Sequence, residues 1–80
     1  MDRFREIEVR TGNQGPMAFS VDGLRFRVKE IVETWCVMIT SSKPQREVQR
    51  TYYDVLTHGG QRAYLVHDHR NKRWGLEKPE

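Results

Sequence analysis

The sequence predicts a mainly β protein, a small antiparallel meander or half-open barrel of five to six strands. Three observations predict it. Apolar and polar residues alternate on both sides of Asp22-Gly23, β-branched and aromatic residues crowd several later segments, and turn-forming residues fall at four places. Those places are Gly12-Asn13-Gln14-Gly15-Pro16, Asp22-Gly23, Ser41-Ser42-Lys43-Pro44 and His58-Gly59-Gly60. Eighty residues fit a single domain over 1–80, because a chain this short cannot build a second core.

Each element has its own reason. Residues 1–16 are read as an edge strand or a loose N-terminal arm, with Ile7 and Val9 in phase. Met17, Phe19 and Val21 alternate with Ala18 and Ser20, and beyond Asp22-Gly23 Leu24, Phe26 and Val28 alternate with Arg25, Arg27 and Lys29. Asp-Gly accepts the positive φ angles of a type I′ turn, so a hairpin is predicted with Phe19, Val21, Leu24 and Phe26 inward. The segment 28–39 has two readings. Val28, Ile31, Val32, Trp35 and Ile39 form a helical stripe, giving a short helix. A bulge near Lys29 or Glu30 would instead place Ile31, Glu33, Trp35, Val37 and Ile39 on one strand face. The strand is favoured, because the segment is rich in β-branched residues and lacks an N-cap.

Val48 to Thr57 and Gln61 to His67 read as a second hairpin about Gly59-Gly60, and Lys72 to Lys78 as a last strand with Trp74 and Leu76 inward. The expected core is Phe19, Phe26, Trp35, Leu65, Trp74 and Leu76.

Phe19, Gly23, Phe26, Val28, Trp35, Tyr52, Tyr53, Val55, Gly60, Tyr64, Leu65, Trp74 and Leu76 stand in the order F-x-x-x-G-x-x-F-x-V, Trp, Y-Y-x-V, G-x-x-x-Y-L, R-W-x-L. Over residues 17 to 78 this resembles a family of small bacterial domains of unknown function. Members occur alone, or near or at the end of proteins related to Y-family translesion DNA polymerases. The resemblance implies a setting in DNA damage tolerance and assigns no site residue.

Composition bounds the function. Cys36 is the single cysteine and cannot close an intramolecular disulfide, which excludes a stapled secreted mini-protein. The opening MDRFREIEVR lacks the apolar stretch of a signal peptide, and nothing approaches the roughly 18 apolar residues of a spanning helix, so a cytoplasmic protein without a membrane partner is expected. The net charge of +3 is unevenly spread. Residues 1–22 carry a net −1 and residues 43–73 a net +4.

The candidate nucleic-acid-binding residues are Arg25, Arg27, Lys29, Arg46, Arg50 and Tyr52. The first three share a strand face at a repeat of about 6.5 to 7 Å, and Tyr52 or Tyr64 could stack bases beside them. The same alternation also solvates the outer face of an antiparallel sheet. His67 and His69 are weak metal candidates, since i and i+2 share a strand face but zinc needs further ligands. Their structural reading is a solvated loop. Cys36 beside Trp35 reads as a small buried hydrophobe, Glu30 and Glu33 as solubilising charges, and Gly59-Gly60 as a turn. The chain is therefore expected to be a non-enzymatic binding or accessory module without a cofactor. Its partner would be single-stranded nucleic acid or a DNA-repair protein; the alternative is a protein-interaction module, monomeric or homodimeric.

Overall fold

A computed structural model describes the backbone of residues 5–42 and 45–77, and the side chains of 5–38 and 49–77. Six strands follow in chain order: β1 (Arg5–Gly12), β2 (Gly15–Val21), β3 (Leu24–Ser42), β4 (Gln45–Thr57), β5 (Arg62–Asp68) and β6 (Arg73–Glu77). Each pairs antiparallel with the next, and β1 pairs with β6, so the meander closes into a barrel. The sheet is thus fully closed rather than half-open. β1 is neither an edge nor a loose arm. It pairs with β2 through Glu8 to Gly12 and with β6 through Arg5 to Ile7.

The Asp22-Gly23 turn has φ of 52° and 78°, as a type I′ turn requires, and sets Val21 opposite Leu24 and Phe19 opposite Phe26. Gly60, at φ 84°, turns the second hairpin. Segment 28–39 is strand, not helix. Its pairing with β4 slips twice, between Val28 and Glu30 and between Ile31 and Glu33, leaving Lys29 and Val32 as extra residues. The first bulge follows the expectation; the second reverses the phase once more. Ile31 therefore packs against the core, whereas Trp35 lies beside Tyr52 on the opposite face. This moves Trp35 out of the expected core. Leu24, at 63% exposed, sits on the rim rather than inside.

The core consists of Ile7, Phe19, Val55, Ala63 and Leu65, with Phe26, Ile31, Tyr53, Trp74 and Leu76 packed around them. The two ends of the barrel differ. At one, Tyr53 and Trp74 meet at 5.6 Å, His67 stacks on Trp74 at 4.4 Å, and the start of β2 at Gly15 comes close to Tyr53. Gly15 is required there: its φ is +124°, and a Cβ would lie 3.1 Å from Ile31 Cδ1 and 3.3 Å from Tyr53 Cε1. At the other end, Phe19, Phe26, Ala63 and Leu76 line an open mouth.

β3 and β4 outrun their neighbours. β2 pairs with β3 only over Leu24 to Arg27, and β5 with β4 only over Arg50 to Leu56, yet the β3–β4 ladder continues to Ser42 opposite Gln45. Beyond Val37 and Arg50 the sheet is a two-stranded ribbon, and the molecule measures 43 × 26 × 23 Å.

Candidate nucleic-acid interface

Because Phe26 and Val28 face inward, Arg25 and Arg27 project from the outer surface, and both are exposed. The register adds what spacing along one strand cannot. Across β2, Arg27 stands opposite Ala18, which stands opposite Arg10, and Arg25 stands opposite Ser20, which stands opposite Glu8. The small side chains of Ala18 and Ser20 form the floor of a trough between charged walls. Arg10 and Arg27 lie two strand spacings apart, about 9.5 Å at their Cα atoms.

Lys29, pushed out by the first bulge, continues the Arg25-Arg27 row and shares a depression of about 560 Å³ with Arg10, Arg27 and His58. A second depression, of about 310 Å³, lies over Ala18 and Ser20 between Arg10 and Arg25. Glu8 and Glu30 border the pair, so four cations face two carboxylates. Sequence reasoning missed Arg10. Its alternation with Glu6 and Glu8 reads as ordinary surface charge until β1 is known to lie beside β2.

The other proposed residues lie elsewhere. Arg50 and Tyr52 are farther along β4, and the outward carboxylates Glu30, Glu33 and Asp54 stand between them and the trough. The side chain of Arg46 falls outside the described residues. Tyr52 stacks on Trp35 with centroids 5.4 Å apart and planes 5° from parallel, and Tyr64 meets Trp35 edge-on at 5.9 Å. Val66, between Tyr52 and Gly75 on this outer face, is wholly buried. These aromatics pack against one another as a second, external cluster. Beside them Arg62 bonds both carboxylate oxygens of Asp54, its Nε lying 3.0 Å from Oδ1. That bond raises the Arg62 pKa further. Arg50 faces Asp68 across β4 and β5.

His67 and His69 do come together. His67 is half-buried on β5 rather than in a solvated loop, His69 is exposed in the turn before β6, and their rings meet at 4.5 Å. His69 Nε2 lies 2.6 Å from Thr51 Oγ1, which is 3.5 Å from the Sγ of Cys36, an exposed residue rather than the buried hydrophobe expected, and His69 N donates to Gln49 O at 3.1 Å. Burial lowers the His67 pKa, and the neighbouring His69 lowers it further against the pull of Asp68. Asp68 is itself buried, which pushes its pKa up. Hydrogen bonds from Asn71 and from the backbone of Arg70, with the charge of Arg50, outweigh that and hold it below the ordinary carboxylate value. Among the described residues no group of three or more His, Cys, Asp or Glu is disposed to hold a metal ion. The same residues include no helix long and apolar enough to cross a membrane. Comparison with family models, with curated proteins and with solved structures gives no match to this chain.

Proposed function

We propose that this small barrel is a non-enzymatic binding or accessory module of the cytoplasm that takes single-stranded nucleic acid along the β1–β2–β3 face. The observation that supports this is the trough over Ala18 and Ser20, walled by Arg10 and Glu8 on one side and Arg25 and Arg27 on the other, with cations in the majority. Guanidinium groups on both walls could engage successive phosphates of one strand, and the low floor lets a backbone approach. A role beside translesion polymerases, the setting implied by the family resemblance, is consistent with such a surface.

Fluorescence anisotropy of a labelled oligothymidylate tests the proposal. Binding at low salt should weaken with a log–log slope of about −2 to −3, from three or four phosphate contacts. The Arg10→Glu, Arg25→Glu, Arg27→Glu triple variant should bind at least tenfold more weakly. Absence of binding at low salt, or unchanged affinity in the folded triple variant, overturns it.

A second reading rests on the ribbon. Past Met38 and Gln49, whose carbonyl already accepts from His69 N, β3 and β4 have no third strand beside them among the described residues, so their outer backbone groups could pair with another chain, including a second copy.

A further inference from the structure

We propose that the open end of the barrel is a binding site for one small uncharged apolar molecule, independent of the basic trough. The mouth encloses about 380 Å³, within the range of about 300 to 1,000 Å³ usual for ligand pockets. Its walls are Phe19, Val21, Leu24, Phe26, Ala63 and Leu76. Phe19 and Phe26 stack at 5.1 Å and form one continuous aromatic side. Ala63, opposite Val55 in the β4–β5 ladder, provides the room, because its methyl group leaves space that a larger inward residue would fill.

The rim determines the chemistry of the occupant. Of its three charged residues, Asp22 is paired with Arg5 and Arg62 with Asp54, while Glu77, opposite Tyr64, is out of phase with the inward Leu76 and stands on the outer face. Neither ion pair leaves a cation or anion to receive a charged ligand. The backbone N–H of Gln61 donates to Thr57 Oγ1 at 3.1 Å, so the Thr57 hydroxyl keeps a proton to give. The site therefore suits a hydrocarbon or aromatic ring system carrying at most a neutral acceptor. Leu24, an exposed leucine at the lip, would cover part of the molecule that still faced water. At the far end the rings of Tyr53, Trp74 and His67 pack on one another, well away from this mouth in the strand register.

Titration with N-phenyl-1-naphthylamine, a neutral dye whose emission rises in apolar surroundings, tests this. The folded wild-type protein should give a saturable rise at one dye per chain. Ala63→Phe, which fills the cavity, should weaken binding at least tenfold. Leu24→Glu, at an exposed position that does not endanger folding, should also weaken it. Arg25→Glu with Arg27→Glu should leave it unchanged, which separates this site from the trough. No saturable rise, or wild-type affinity in Leu24→Glu and in folded Ala63→Phe, overturns the proposal.

Discussion

A proton added to His67 would place a charge in a half-buried ring stacked on Trp74 and touching His69. Its folded pKa lies below the unfolded value of 6.5, so the unfolded chain binds more protons in the interval between the two. The His67 contribution to stability is fully present above 6.5 and is lost as pH falls through the lowered folded value. Urea midpoints followed by tryptophan fluorescence should therefore decline as pH drops below 6.5. His67→Phe, which keeps a ring against Trp74, should flatten that decline; an equally steep fall in the variant would show that His67 is not its source. Asp68 acts in a lower window. Its depressed pKa gives stability above 3.8 that disappears only as pH falls through a still lower value, so the two losses are separable.

At the scale of elements, the seams of the barrel are unequal. β4 and β5 share seven residue pairs, from Arg50 opposite Asp68 to Leu56 opposite Arg62, whereas β1 and β6 share three. Opening should begin at the shorter seam. Hydrogen exchange should find the Glu6, Ile7 and Gly75 amides less protected than the ladder amides of Tyr53 to Val55; equal protection would mean that the barrel opens as one unit. How much of this was legible follows from the range of each signal. The Asp22-Gly23 hairpin was readable because turn and alternation are local properties of one short stretch. The closing role of β1 was not, since Ile7 meets Trp74 only after the whole meander has formed. The second bulge was hidden because Val32 resembles any other β-branched strand residue, and without it Ile31 and Trp35 fall on the same face. The trough was half legible: Arg25 and Arg27 follow from period two, while Arg10 depends on inter-strand register.

Across the whole molecule, charge and shape separate into regions. The basic trough lies on β1–β2–β3, the aromatic cluster on the outer face of β3–β4–β5, and the ribbon extends from the barrel. If the ribbon serves self-association, sedimentation equilibrium should give a mass that rises from 9.5 kDa toward twice that value with concentration. A mass that stays at the monomer value at millimolar concentration removes the homodimer reading. The closed meander has a further consequence. Because β1 lies beside β6, with Arg5 opposite Leu76, the strand that begins the barrel and the strand that ends it are neighbours. A chain that joined β6 to β1 and opened instead at Gly59-Gly60 would keep every strand pairing, so a circular permutant should reach the same barrel. By the same geometry, a host protein could carry the module inserted within a surface loop, with entry and exit side by side.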